Sequence, residues 1–219
     1  MERKIITTGD GSKTIQITDW NEQYHSIHGA VQEAYHVFIK NGLDQFKNDE
    51  IALLEVGFGT GLNALITLSE ATKRGLKIQY EGVEAFPVSM EEVEALNYIE
   101  TLNLLSFKEH FFLMHQSAWG KRQKITPDFL LFKSQSDFQE IAYQNLFNLI
   151  YFDAFGYRVQ PELWSEAIFE KMFRALKPGG ILVTYSAKGS VRRAMQAVGF
   201  NVERLPGPPG KREMLRATK

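Results

Sequence analysis

The spacing of apolar residues changes character near residue 50. Before that point, Ile5-Ile6-Thr7-Thr8 and Thr14-Ile15-Gln16-Ile17 are short β-rich runs on either side of Gly9-Asp10-Gly11-Ser12, a pattern that predicts a hairpin. Ile27, Ala30, Val31, Ala34, Val37 and Phe38 then recur at helical spacing within Ser26–Lys40, and Asn41-Gly42 supplies the stop. Residues 1–48 therefore read as an extension laid against a larger domain over 49–219.

Beyond residue 50 the pattern alternates. Continuous apolar runs of strand length fall at Ile51–Val56, Ile78–Glu84, Asp128–Phe132, Asn145–Phe152 and Ile181–Ser186. Amphipathic stretches at Leu62–Lys73, Ser89–Tyr98, Pro161–Leu176 and Gly189–Val198 separate them, while residues 99–125 carry no clear period. Strands that are apolar throughout are buried on both faces, which predicts βαβ units around a mostly parallel sheet. Phe200–Leu205 and Glu213–Ala217 are joined too tightly, around Pro206–Gly210, for a crossover helix. They predict an antiparallel pair at one edge, making a seven-stranded α/β sheet.

With 219 residues, 44% apolar and 23% charged, the chain has the composition of an ordinary globular protein. It has no cysteine, so disulfides, thiolate catalysis and cysteine-based zinc sites are excluded. The five histidines make no metal-ligand pattern, so no metal is expected. No apolar run reaches membrane-spanning length, and Met1-Glu2-Arg3-Lys4 leads into no signal-peptide core; a cytoplasmic protein without a membrane partner is the expectation. The net charge of −1 conceals an asymmetry: the segment from Lys188 to Lys219 carries +6 and the remainder −7. Such a basic end is either a solvated surface or a polyanion-binding patch.

The richest chemistry lies in Glu55-Val56-Gly57-Phe58-Gly59-Thr60-Gly61-Leu62-Asn63, at a strand-to-helix junction. Glycines there let the backbone approach a ligand and place helix-start amides beside it. Glu84 ends the next strand, where a carboxylate can accept the hydroxyls of a ribose. The G-x-G-x-G spacing differs from the G-x-G-x-x-G of dinucleotide binders, and no G-K-[ST] of a phosphate loop is present. S-adenosylmethionine, which presents an amino-acid moiety in place of a pyrophosphate, suits such a turn. Asp137, after the third strand, is either an adenine acceptor or a helix cap. Asp153 follows Tyr151-Phe152 at the end of the fourth strand, which faces the ligand crevice in an open α/β sheet. It is the candidate catalytic carboxylate. Phe155, Tyr157 and Trp164 are candidates to stack on a base.

These segments resemble the MnmC/MnmD-type tRNA methyltransferases. The resemblance rests on Glu55–Asn63, Val83-Glu84-Ala85-Phe86-Pro87, Asp153-Ala154-Phe155 with Pro161-Glu162-Leu163-Trp164, Lys177-Pro178-Gly179-Gly180 and Lys211-Arg212-Glu213-Met214-Leu215, in that order. It implies a class I, Rossmann-like fold, S-adenosylmethionine as methyl donor, and methylation of the aminomethyl nitrogen of 5-aminomethyl-(2-thio)uridine at the tRNA wobble position. By position it makes Glu55, Gly57, Gly59, Thr60, Gly61, Asn63, Glu84, Asp137 and Asp153 cofactor residues, with Asp153 also catalytic. Tyr24-His25-Ser26, Gly29-Ala30 and Glu33 match the segment that closes the cofactor site. Phe155, Tyr157, Trp164, Lys188, Arg192, Lys211 and Arg212 become candidate tRNA contacts. Gly156-Tyr157-Arg158 stands where the family pattern has Ala-Pro-x-Lys, and Ser136 where it has Gly. The partner implied is tRNA at its anticodon region, with functional coupling to whatever enzymes make the aminomethyl precursor. The alternatives are a methyltransferase of the same fold acting on a small molecule or protein, and a non-catalytic S-adenosylmethionine-binding module.

Overall fold

The computed structural model describes residues 2–47 and 50–219; the expected boundary between 48 and 49 lies outside them. The hairpin is present as β1 (Arg3–Thr7) and β2 (Lys13–Ile17), and a two-residue strand, β3 (Glu22–Gln23), completes a small antiparallel sheet. The helix after it starts later than its hydrophobic spacing suggests. Residues 24–29 run as a non-helical segment, α1 spans only Ala30–Ala34, and wider π-type turns continue it through Tyr35–Lys40. Two carboxylates hold this arrangement: Gln32 N–H donates to Asp10 Oδ2 of the hairpin turn, and Ser26 N–H donates to Glu33 Oε1.

The main sheet is built from β4 (Glu50–Val56), β5 (Lys77–Glu84), β6 (Arg122–Thr126), β7 (Phe129–Gln135), β8 (Phe147–Phe152), β9 (Leu176–Thr184), β10 (Asn201–Pro206) and β11 (Glu213–Thr218). Their order is β10-β11-β9-β8-β4-β5-β7-β6, with β9, β8, β4, β5 and β7 parallel and both edges antiparallel. The eighth strand, β6, corrects the expectation of seven. Arg122-Gln123-Lys124 is polar and pairs on one side only, so it lacks the apolar signature of an interior strand. The helices are α2 (Leu62–Arg74), α3 (Met90–Ala95), α4 (Tyr98–Thr101), α5 (Lys108–Gln116), α6 (Glu166–Ala175) and α7 (Gly189–Ala197).

Alternation along the strands distributes side chains to two cores. Ile51, Leu53, Leu149 and Tyr151 face α2 and α5, whereas Leu54, Val56, Ile150 and Phe152 face α6 and α7. Lys177-Pro178-Gly179-Gly180, expected as a helix stop, lies inside β9, where the pairing with β8 shifts register. The helix expected over Pro161–Leu176 is divided: Pro161–Trp164 forms a 3₁₀ turn, and extended Ser165 restarts the chain as α6.

Register then assembles the site. β4 and β5 pair through Val56 and Val83, and β4 and β8 through Val56 and Phe152. Gly57, Glu84 and Asp153 are therefore neighbours just past the carboxyl ends of three adjacent strands. Glu84 pairs with Gln135, so Asp137 follows on the same edge, and Val183 pairs with Tyr151, so Tyr185 does too. The chain leaves β4 for α2 on one face of the sheet and β8 for α6 on the other, the place where open α/β sheets hold ligands.

Candidate active site

A cavity of about 350 Å³ opens at this edge, a size typical of small-ligand sites. Gly57, Gly59, Glu84, Asp137, Asp153 and Phe155 line it from the sheet side, and the segment 20–28 closes it from the other. Gly57 and Gly59 both have left-handed backbone (φ +96° and +48°). A Cβ on Gly57 would stand 2.5 Å from the Asp153 carbonyl oxygen, and one on Gly59 would meet the Tyr24 ring at 3.0 Å. Thr60 fixes the turn from behind: Tyr98 OH donates to its Oγ1 (2.9 Å), and Oγ1 and His25 Nε2 share a hydrogen bond of 2.8 Å. Burial holds His25 down to about 4, so it is neutral and its ring nitrogen is free to accept.

Asp153 sits at the centre. Its Oδ2 accepts from Asn63 Nδ2 (2.9 Å), and the same amide nitrogen donates to Glu55 Oε1 (2.9 Å). Tyr80 OH donates to Glu55 Oε2 (2.7 Å). Glu55 is buried, which pushes its pKa well above the ordinary carboxylate range, against the opposing hydrogen bonds from Tyr80 and Asn63. Burial, assisted by the Glu33 carboxylate, lifts Asp153 to about 7, against the opposing pull of Asn63 and Lys211. Lys211 Nζ is bonded to Glu33 Oε2 (2.5 Å) and lies 3.8 Å from the centre of the Tyr185 ring.

Glu84 Oε2 accepts from Gly59 N–H (3.0 Å) and Oε1 from Phe86 N–H (2.9 Å), and each oxygen keeps a further lone pair for a ligand in the cavity. Asp137 caps the next turn, accepting from Gln139 N–H (2.7 Å), and also lines the cavity, so both of its expected roles are geometrically available.

Residues 120–219 match a family described as S-adenosyl-L-methionine-dependent methyltransferase. The bifunctional tRNA 5-methylaminomethyl-2-thiouridine biosynthesis protein MnmC of Aromatoleum aromaticum is 32% identical to this chain, covering 97% of it and 35% of that protein. Over nearly its whole length this chain is similar to that protein. The MnmC protein of Cupriavidus metallidurans is 28% identical, covering 89% of this chain and 31% of its own length. The chain thus spans about a third of these relatives. Two solved structures share the fold. MnmC2 from Aquifex aeolicus has a TM-score of 0.79 at 24% identity, over 99% of this chain and 69% of that one. Spermidine synthase from Thermotoga maritima has a TM-score of 0.55 at 15% identity, over 99% and 72%.

The residues present fit a methyltransferase's cofactor. Gly57 and Gly59 line the cavity with no side chain of their own, and the Glu84 carboxylate lines it beside them with lone pairs to spare. Other expected cofactor residues stand one layer back. Glu55, Thr60 and Asn63 are buried and outside the cavity lining, and a Cβ on Gly61 would meet the His115 ring rather than the cavity. Among the expected substrate residues, Trp164 is corrected to the core: it is 2% exposed, packs on Phe152 and donates from Nε1 to Phe155 O. An aromatic in a Pro-x-Leu-Trp turn stacks inward when a strand's apolar face lies beneath it. Tyr157 and Lys188 pair with each other, the ammonium 3.4 Å from the ring centre, and lie outside the cavity lining with Arg192 and Arg212. Lys211 faces the cavity and holds Glu33, so it does not serve as a simple phosphate contact. Sequence reasoning passed over Trp20, Glu22 and Tyr185, which also line the cavity. Among the described residues no cluster suits a metal ion, and no helix is long and apolar enough to cross a membrane.

Gly59→Val should weaken S-adenosylhomocysteine binding by at least about tenfold, since the side chain enters the cradle and strains the turn. Calorimetry measures the affinity, and circular dichroism should show the fold retained. Undiminished binding would mean that the glycine turn does not face the cofactor.

Proposed function

We propose that the chain is a cytoplasmic tRNA-modifying enzyme that methylates the aminomethyl nitrogen of 5-aminomethyl-(2-thio)uridine at the wobble position. The observation that carries this reading is Asp153: a carboxylate raised to about 7, lining the cavity at the ligand edge of a methyltransferase sheet, with Oδ2 held by Asn63. The similarity to proteins named for 5-methylaminomethyl-2-thiouridine biosynthesis, over nearly the whole chain, supports the substrate.

Glu84 would hold the ribose hydroxyls of S-adenosylmethionine, Asp137 its adenine amino group, and Gly57 and Gly59 its amino-acid portion. Bound there, the cofactor supplies an electrophilic methyl on sulfur. A primary alkylamine is mostly protonated near neutral pH, as lysine is. Asp153 accepts that proton and keeps the nitrogen oriented, so that the lone pair can attack the methyl as the carbon–sulfur bond breaks toward sulfur. A carboxylate of ordinary acidity would take the proton less readily; burial beside Glu33 raises its basicity. The Asn63 hydrogen bond and Lys211 oppose that rise. The segment from Trp20 to His28 forms the wall of the site that faces the sheet edge. The enzymes that make the aminomethyl group act before this step.

Labelled-methyl transfer to tRNA bearing the aminomethyl group, followed by nucleoside mass spectrometry, tests the reading directly. The expected product is 5-methylaminomethyluridine or its 2-thio form; transfer to small molecules or protein alone would refute it. In the same assay Asp153→Asn should lose about 10²–10⁴-fold in rate with near-normal cofactor affinity. Wild-type kcat/KM should rise with pH and level off above about 7, where Asp153 is ionised. Because the fold favours the protonated acid, that stabilising bias is complete below the ordinary carboxylate range and is lost as pH climbs through about 7. Asp153→Asn should therefore not lower the melting temperature at pH 8; a large drop would mark a structural role instead.

Arg192 and Arg212 have no ion-pair partner among the described residues, whereas Lys211, Arg204 and Arg216 pair with Glu33, Glu213 and Glu203. Replacing both Arg192 and Arg212 by Ala should flatten the salt dependence of tRNA binding, by about one unit of slope for each phosphate no longer neutralised. An unchanged slope would return the basic end to the status of solvated surface.

A further inference from the structure

The turn between β2 and β3 is anchored in a way that the cofactor does not require. Arg158, in the loop after β8, donates through Nη2 to Trp20 O (2.8 Å), Asn21 O (2.9 Å) and Glu22 Oε2 (2.9 Å). One guanidinium nitrogen thus ties three consecutive residues of the small sheet to the segment that carries Asp153 and Phe155. Asn21 adopts left-handed backbone (φ +46°) to make the turn. The turn presents the half-buried ring of Trp20 to the cavity.

Ring contacts place Trp20 relative to the two ligands. The Tyr24 ring is what a Cβ on Gly59 would touch; Tyr24 meets Phe155 edge-on at 4.9 Å, and Phe155 meets Trp20 edge-on at 5.7 Å. The order outward from the glycine turn is Tyr24, Phe155, Trp20. Trp20 and Asp153 line the same cavity, and Phe155, two residues after Asp153, carries the ring that meets Trp20, whereas the ring next to Gly59 is Tyr24.

We infer that Trp20 is a substrate-binding residue that stacks on the target pyrimidine once it is splayed from the anticodon loop, and that Arg158 is the positioning residue that holds the Trp20 turn over the site. This inference rests on the functional reading above. The small N-terminal sheet then serves to carry a planar apolar face to the side of the site opposite the cofactor. Sequence-specific recognition of unpaired RNA bases relies on such aromatic faces, and removing one stacked ring corresponds to about a 10- to 100-fold change in affinity.

The inference is tested by steady-state methylation of tRNA carrying the aminomethyl group, with wild type, Trp20→Ala, Trp20→Phe and Arg158→Met. Trp20→Ala should raise KM for tRNA by about 10- to 100-fold, with S-adenosylhomocysteine affinity unchanged by calorimetry. Trp20→Phe should restore most of the loss, because a planar ring is retained. Arg158→Met should raise KM in the same direction by a smaller factor, with little change in kcat. Substrate binding should also quench tryptophan fluorescence in wild type and not in Trp20→Phe, which keeps Trp119 and Trp164. A KM for Trp20→Ala within twofold of wild type, or an equal loss of cofactor affinity, would overturn the assignment. Absence of tRNA methylation by the wild type would instead overturn the functional reading on which it rests.

Discussion

Asn63 donates from its side-chain amide to two carboxylates, Glu55 behind it and Asp153 in front, and its buried Oδ1 has no partner. Two acids are thereby linked through one amide at the carboxyl edge of a sheet, Glu55 buried and Asp153 half-buried. Both cannot be charged cheaply there, since desolvation penalises each and their like charges repel. Burial pushes the Glu55 pKa well up, and the donors Tyr80 and Asn63 oppose that rise. Asp153, at the open end of this hydrogen-bonded chain, is the member that lines the cavity, and it titrates near 7. The rest of the site depends on this division. β4 supplies Glu55, α2 supplies Asn63, and the parallel register of β4 and β8 brings Asp153 beside Gly57.

A second ionic arrangement tunes the first. Glu33 projects from a helix that begins only after residues 24–29, most of which line the cavity, and Lys211 comes from the loop between β10 and β11. Their pair carries opposite influences on Asp153: the carboxylate raises its pKa and the ammonium lowers it. Gly210 packs so closely on His28 that a Cβ would stand 2.1 Å from that ring, and His36 Nε2 shares a hydrogen bond with Pro206 O (2.7 Å). The N-terminal segment and the C-terminal hairpin are therefore interlocked over the site.

Much of this was legible in the chain itself, for reasons that differ by element. The five parallel strands announce themselves because burial on both faces demands unbroken apolar runs, and Gly57 to Gly61 announce the turn because only glycine fits. Glu84 and Asp153 stand out as charges that end such runs. The edge strand β6 did not show, since a strand paired on one side tolerates Arg and Lys. Trp164 misled for the opposite reason: an aromatic beside a catalytic motif looks the same in sequence whether it faces a ligand or a core. Glu33 and Lys211 are separated by 178 positions, so their pairing is a property of the fold and not of any local pattern. Trp20 and Arg158 are likewise joined only by tertiary hydrogen bonds to backbone carbonyls, which no residue type signals.

Burial beside Glu33, opposed by Asn63 and Lys211, makes Asp153 a carboxyl that titrates near neutrality. Carbon-13 NMR of protein labelled at the aspartate side-chain carboxyl, assigned by comparison with Asp153→Asn, reads that titration without reference to turnover. The expected midpoint for Asp153 is about 7, well above the ordinary carboxylate range. In Asn63→Leu it should move higher, because the donor that favours the ionised form is gone. A midpoint below about 5 in the wild-type protein, within the ordinary spread for aspartate, would contradict the claim.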